Sequence, residues 1–432
     1  MYYKKRNHLT VLVFIAISWL LESCVKIQVS DQMMSSHMNS LVMHDLSGEI
    51  VGGDGEGELL AFLFKHVPYK QVKPDTKEYN KKIGRVSGGS CEVLTFAVRA
   101  LEKYPDKAKL RENIVQLADW ITGLQISDDK SAAYGGVPST PDLPYPSNSY
   151  YYTADAAFCG EAMFEVYDRT QDKRHLKSAL RFASFIKSTN KKLNELANTG
   201  KQSGGFCEYV VLKKEGAVWN CDVYTKNLIA LPVLKRATDL SGDISYMEVA
   251  RNSRSFLVSG LAGAWEFANF NKLKKNCKSA SCGGYWSRIK GPKGQRDYFV
   301  YGDTLAYGLR GLFQFEGGSK TVQSLYIKFS SFKGKHAKSK KYDGRIAFAG
   351  YMKPKQMAPD EFSAYYDLVT LGILHSIRNR LYPSHFRIAD SVLKSKVKNI
   401  SKLSWRMDFD LTTATDEYID LVTIANLGQA LL

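Results

Sequence analysis

DRTQDKRHLKSALRFASF at residues 168–185 and DLSGDISYMEVARNSRSF at residues 239–256 are two copies of one pattern. Asp168, Asp172, Ala179 and Phe185 of the first match Asp239, Asp243, Ala250 and Phe256 of the second, each pair 71 residues apart. A constant offset over four positions argues for duplicated structural units. Within the first copy, Leu176, Ala179, Leu180, Ala183 and Phe185 recur at helical steps, so one face of the helix is buried. Leu110, Ile114, Leu117, Ile121 and Leu124 do the same earlier in the chain. Directly before the first copy, ADAAFCGEAMFEV at residues 154–166 has almost no polar face, the mark of a helix covered on every side.

Alternation of half-buried and fully buried helices is what two concentric rings require. The half-buried set is expected to start near Lys107, Asp172, Ile244, Ser319 and Pro383. The buried inner set is expected near Cys91, Thr153, Cys221, Gly302, Asp360 and Asp416. A helix at Glu58 to His66 would pair with the terminal one and close the circle. Glycine turns recur at Gly135-Gly136, Gly204-Gly205, Gly283-Gly284 and Asp343-Gly344, each after an outer helix and before an inner one. They are expected on one rim, where glycine permits close backbone approach. The fold class is therefore all-α, an (α/α)6 toroid of about six helical hairpins over residues 55–432.

Upstream, MYYKKRNH followed by an apolar run from Leu9 to Leu21 reads as a signal peptide over residues 1–23. The run is shorter than the ~20 residues a membrane helix needs. Leu21-Glu22-Ser23-Cys24 resembles a lipobox with a poorly fitting Glu22, so lipid attachment at Cys24 and plain cleavage are both open. Residues 24–54 are polar and aperiodic, a flexible tether. The protein is expected to be exported, to the periplasm or beyond, as a monomer touching membrane only through such a lipid.

Without Cys24, six cysteines remain. Cys277 and Cys282 flank a short loop that a bridge could close, whereas Cys91, Cys159 and Cys221 sit in apolar helix starts and read as small buried hydrophobes. No Cys/His grouping has zinc spacing, and neither a metal nor a cofactor is expected. The net charge of +17 favours an acidic partner. Only Lys333 to Lys341 is dense, and it reads as a solvated loop, so nucleic acid is not the expected partner.

By its repeat and rim turns the chain resembles the (α/α)6 toroids of the six-hairpin glycosidase type, whose relatives include N-acylglucosamine 2-epimerases and some polysaccharide lyases. The Asp-rich signature of terpenoid cyclases and the zinc set of prenyltransferases, which share the ring, are absent. The resemblance implies a carbohydrate substrate and an acid and base or nucleophile at the inner-helix starts. Those starts carry Glu92, Asp155, Asp222, Asp303, Asp360 and Asp416. Glycoside hydrolysis needs two carboxyls about 5–9.5 Å apart, one to protonate the leaving oxygen and one to attack or to activate water. An acid in a first helical turn also offsets the helix dipole with no catalytic role. Aromatic neighbours rank Asp155, Asp222 and Asp303 first, with Tyr151, Trp219, Trp286, Tyr301 and Asp367 as substrate-binding candidates. Two other classes fit the same rim. One is uronate elimination or epimerisation, with Tyr151, Tyr301 or Tyr365 as proton carrier and Arg288 and Arg296 neutralising the carboxylate. The other is a non-catalytic toroid that binds a glycan or a protein.

Overall fold

The computed structural model describes residues 86–139, 149–197 and 204–259, four strands at 267–269, 283–285, 288–290 and 295–297, residues 302–331, and helical residues at 372–374, 376–377, 425–426 and 429. The expected signal, tether, closing helix at 58–66 and later helix starts at Asp360, Pro383 and Asp416 lie outside the described residues, as do Cys24, Cys277 and Cys282.

Four inner and outer helices alternate along the described chain. The inner members are α1 (Val86–Lys103), α3 (Thr153–Thr170), α5 (Ala230–Ser241, entered through a 3-10 turn at Thr225–Ile229) and α7 (Gly302–Glu316). The outer members are α2 (Ala108–Leu124), α4 (Lys173–Ala197), α6 (Ile244–Ser259) and α8 (Lys320–Ser331). The expected starts at Thr153, Ile244 and Gly302 coincide with those observed. In α3 every residue from Thr153 to Phe164 is buried, whereas α2 buries Leu110, Ile114, Leu117 and Ile121 and exposes its other side. This is the difference between a helix enclosed in the ring and one that forms its outer wall.

The inner helices run parallel. Gly88 and Asp155, each the third residue of its helix, lie side by side, and the Cys91–Cys159 disulfide joins α1 to α3 one turn further in. At their far ends Arg169 pairs with Glu102, and Arg236 pairs with Asp168. The ring closes through the C-terminal segment. Asn426 donates to the Tyr307 hydroxyl at 3.0 Å, and Gln429 donates to Glu92 at 3.0 Å and accepts from Arg99 at 2.8 Å. Residues from the last described inner helix and the first thus meet on one segment.

The 71-residue repeat has a physical cause. Asp172 accepts the N–H of Arg174 at 2.8 Å, and Asp243 accepts the N–H of Ser245 at 2.9 Å, so the repeated aspartate caps two successive outer helices, α4 and α6, in the same way. The side-chain hydrogen bonds from Arg174 and Ser245, together with these backbone bonds, lower the pKa of the two carboxyls. The glycine turns repeat in the same way. A Cβ on Gly135 would meet the carbonyl oxygen of Arg181 at 2.0 Å, and one on Gly204 would meet that of Asn252 at 2.3 Å. Arg181 and Asn252 are themselves 71 apart, so each rim turn is pressed onto the equivalent point of the next outer helix. Gly204→Ala is expected to force α6 outward and to lower the unfolding free energy by about 1–3 kcal/mol. A denaturant midpoint equal to that of the wild type would disprove this close packing.

Short strands decorate the rim from which the inner helices start. β1 (Tyr150–Tyr152), β2 (Tyr209–Lys213) and β3 (Gly216–Asn220) form one antiparallel sheet. β4 (Val223–Tyr224) pairs with β7 (Arg288–Lys290), which pairs with β8 (Gln295–Asp297). β5 (Phe267–Asn269) pairs with β6 (Gly283–Tyr285), so the Gly283-Gly284 turn of the sequence reading is a strand.

Candidate functional site

The rim from which the inner helices start is built where the first sheet feeds α3. Thr153 donates its N–H to the Glu208 carbonyl at 2.9 Å and its hydroxyl to the Cys207 carbonyl at 2.6 Å, fixing the first turn of α3 on the two residues that lead into β2. Two residues on, Asp155 is buried at 2% exposure. A methyl on Gly88 would stand 2.7 Å from Asp155 Oδ1, so the first turn of α1 lies directly against this carboxylate.

Asp222 is buried as well, but it does not open a helix. It stands in the link between β3 and β4, donating its N–H to Asn220 Oδ1 at 3.0 Å. Cys221 is bridged to Cys207, and β4 pairs with β7. Both hold residues 221–224 extended, so the helical path begins at Thr225 and not at Cys221 as expected. Cys91, Cys159 and Cys221 are buried as the sequence suggests, but as bridged cysteines and not free thiols.

These contacts bring Asp155 and Asp222 to one rim. Thr153 is tied to Cys207, Cys207 is bonded to Cys221, and Asp222 follows. In the sheet, Tyr152, Tyr209 and Asn220 stand in register across three strands. Two strand spacings put Tyr152 and Asn220 about 10 Å apart. Asp303 is the second residue of α7 and so opens an inner helix on the same rim. Trp286, Tyr301, Tyr365 and Asp367 lie outside the described residues.

The aromatic assignments change once the sheet is seen. Tyr151 is 1% exposed and belongs to the core, because strand alternation turns it inward. Trp219 sits in register with Val210, which pairs with Tyr151, so it lies on the same inward face and is partly buried. The outward face carries Tyr150, Tyr152 and Tyr209, with ring centroids 5.0–6.1 Å apart and Tyr150 at 44% exposure. These three rings, not Tyr151, are available to stack on a ligand at this sheet.

Inward of this rim the axis of the ring is filled in layers. Phe158 of α3 and Tyr307 of α7 meet edge to face at 4.9 Å. Lys226 Nζ stands 5.2 Å from the first ring and 4.8 Å from the second. The Arg310 guanidinium approaches the same rings at 5.6 and 5.4 Å. Arg310 is bound in turn to Glu92 at 3.0 Å and Glu161 at 2.9 Å, and Gln314 donates to Glu161 at 2.5 Å. Arg99 then joins Glu161 and Glu165, each at 2.6 Å. Burial alone would raise the Glu161 carboxyl, but Arg310 and Arg99 hold it at about 2. Burial pushes the Glu165 carboxyl up, and Arg99 offsets this only in part. Past this network, at the C-terminal ends of the inner helices, opens a cavity of about 1070 Å³ lined by Arg99, Glu165, Phe164, Phe313 and Arg236 among others. It lies at the opposite end of the inner helices from Asp155 and Asp222, and its charges pair with one another.

The sequence reading missed Arg99, Glu161, Glu165 and Arg310. The signal was present: Glu161 and Glu165 interrupt an otherwise apolar helix, as does Arg310 between Leu309 and Gly311. Charges enclosed on every side must find partners on other helices. Among the described residues no group of three or more His, Cys, Asp or Glu is placed to hold a metal ion.

No protein-family model matches the chain, and no curated protein matches it by sequence. Solved structures do match it. A sugar epimerase from a ruminal bacterium aligns with a TM-score of 0.56 at 13% identity, over 89% of this chain and 97% of that one. An unsaturated glucuronyl hydrolase specific for heparin gives 0.53 at 11% identity over 86% and 93%. The GH76 alpha-mannanase of Bacteroides thetaiotaomicron gives 0.50 at 10% over 90% and 97%. At such identities the likeness concerns the fold alone, an (α/α)6 toroid.

Proposed function

We propose that this chain is a carbohydrate-active enzyme, a glycoside hydrolase of poly- or oligosaccharides that works through Asp155 and Asp222 with Asp303 assisting. The observation that carries the reading is the shared placement of Asp155 and Asp222. Both are buried at one rim of the toroid and linked through Thr153, Cys207 and Cys221. Tyr152 and Asn220, about 10 Å apart across the sheet, precede the two aspartates by three and two residues, and the chemistry needs the two carboxyls about 5–9.5 Å apart. One carboxyl then gives its proton to the glycosidic oxygen as the bond to the anomeric carbon breaks. The other attacks that carbon or takes a proton from the water that does. Tyr150, Tyr152 and Tyr209 supply ring faces beside the pair, suited to the C–H face of a sugar. The names of the aligned structures, an epimerase, a glucuronyl hydrolase and a mannanase, all concern sugars and support the same substrate class.

Export to an oxidising compartment belongs to the same reading, supported by the Cys91–Cys159 and Cys207–Cys221 bridges. Among the described residues no helix is long and apolar enough to cross a membrane. Mass spectrometry of the mature N-terminus tests it, and a retained Met1 would refute it. For the activity, the purified protein is screened against neutral and uronate-containing oligosaccharides while reducing ends and the absorbance of an unsaturated uronate are followed. New reducing ends without that absorbance are expected. Both signals together would replace hydrolysis by elimination, and neither, with saccharide still bound, would leave a binding toroid.

A further inference from the structure

We propose that the cavity at the C-terminal ends of the inner helices is a second binding site, for an organic ligand that bears a primary ammonium group, and that the Glu165 carboxylate receives this cation. The enclosed network beside the cavity carries one acid more than its bases can match. Among the described residues it holds three carboxylates, Glu92, Glu161 and Glu165, and two guanidinium groups, Arg99 and Arg310. Arg310 lies between Glu92 at 3.0 Å and Glu161 at 2.9 Å, which leaves Arg99 to serve Glu161 and Glu165 together, each at 2.6 Å. Among the described residues Arg99 alone binds the Glu165 carboxylate. Glu165 is also the most exposed of the three acids, at 26% against 8% for Glu161 and 0% for Glu92, and its side chain borders the cavity.

The rest of the cavity suits a cation with an apolar body. Phe164, Val233, Phe313 and Ile377 line it with apolar surface. The helices α1, α3 and α7 end on this side, and the carbonyl ends of helices carry a partial negative charge that favours a cation over an anion. Gln314, which also lines the cavity, has a buried Oε1 with no hydrogen-bond partner. Contacts of 2.5, 2.6 and 2.6 Å chain Gln314 to Glu161, Glu161 to Arg99 and Arg99 to Glu165, so this second acceptor belongs to the same wall. An ammonium brings three donors and can serve both. The remaining charges are engaged at the outer edge: Arg169 with Glu102, Arg236 with Asp168, and Lys103 over the Tyr104 ring at 5.6 Å. The volume of about 1070 Å³ is that of a site for an organic molecule and not for a bare ion, such pockets measuring about 300–1,000 Å³. Burial, together with the Glu161 charge, holds the Glu165 carboxyl above its ordinary value against the opposing Arg99 and Arg310. An ammonium that binds there displaces a proton, and binding weakens as pH falls.

The test is calorimetric titration of the full-length protein with two matched probe sets. Phenylbutylamine, phenylbutanol and phenylbutyrate share one body and differ in charge, and a glucosamine trisaccharide and its N-acetylated form make the same comparison on a sugar body. At least one amine is expected to bind about tenfold or more tightly than its neutral counterpart, the scale of one charge-assisted hydrogen bond, with phenylbutyrate no better than the alcohol. Whichever amine binds better shows whether the apolar walls take an aryl chain or a sugar. Heats in two buffers of unlike ionisation enthalpy should show a proton released on binding. Glu165→Gln keeps an acceptor for Arg99 and removes the charge, so both the preference and the proton release should vanish. Ser376→Phe puts a ring into the cavity outside the ion-pair network and should weaken every probe that binds there. If Glu165 only balances the network, Glu165→Gln shifts the unfolding midpoint and leaves the preference, and the assignment is wrong. It is equally wrong if no amine outbinds its neutral counterpart, or if Ser376→Phe leaves amine binding unchanged, as it would for a probe held at the Asp155 rim. Asp155 and Asp222 lie at the other end of the inner helices, so none of these outcomes decides the hydrolase reading.

Discussion

Arg310→Met is expected to lower the unfolding free energy by about 3–5 kcal/mol at neutral pH, the range found when one partner of a buried ion pair is removed. Arg310 is 4% exposed and lies between Glu92 at 0% and Glu161 at 8%, on three different inner helices. Removing it leaves Glu92 with Gln429, and Glu161 with Arg99 and Gln314. The loss measures a stranded charge and not the worth of the pair, so the triple variant Glu92→Gln, Glu161→Gln, Arg310→Met should recover much of it. The pH dependence gives a second reading of the same network. Burial would raise the Glu161 carboxyl, but Arg310 and Arg99 bring it from its ordinary 4.5 down to about 2. A depressed carboxyl stabilises the fold above its unfolded pKa, so this contribution is complete above about 4.5 and disappears as pH falls towards 2. The Glu165 carboxyl, raised by burial, contributes with the opposite sign and softens that decline. Without Arg310 the acid decline from Glu161 should shrink to the part that Arg99 sustains, so the gap between the wild type and Arg310→Met should narrow below pH 4.5. Denaturant midpoints at pH 7 and pH 3 that keep a constant gap would refute the assignment of this shift to Arg310.

How much was legible in advance depended on whether the cause was local. The burial of α3 on all sides, the one-sided burial of α2 and the helix starts at Thr153, Ile244 and Gly302 follow from side chains a few residues apart, and periodicity exposes them. The 71-residue repeat was legible as a pattern, but its causes were not. The Asp172 and Asp243 caps are local, whereas Gly135 and Gly204 matter because Arg181 and Asn252 press on them from the next outer helix. Asp222 was misplaced because helical propensity after Cys221 is overruled by a disulfide to Cys207 and by pairing with a strand more than sixty residues away. Tyr151 was chosen from three adjacent tyrosines whose facing is set by the strand they pair with. Glu161 and Arg310 passed as interruptions of apolar helices because their partners lie on other segments. For the candidate site, then, residue types were readable and their orientation was not.

Asp155→Asn and Asp222→Asn should each lower turnover of a verified substrate by a factor of at least ~100, the lower bound usual for removal of a general acid or base. Both replacements keep the size of the side chain, which matters most at Asp155, where the first turn of α1 lies against the carboxylate. The competing account is that Asp155 only offsets the helix dipole at the start of α3, a role worth about 0.3–1 kcal/mol. The two accounts separate in paired measurements of rate and unfolding free energy. Loss of a helix-terminus charge shifts stability and leaves the rate nearly intact, whereas loss of acid or base function collapses the rate with little change in stability. Groups that act as a unit are also far from additive, so the double variant should be little slower than the slower single one. Independent roles would instead multiply the two losses. If both single variants retain full activity, the carboxylate pair is not the catalytic machinery, and Asp155 and Asp222 revert to structural charges at the rim of the ring.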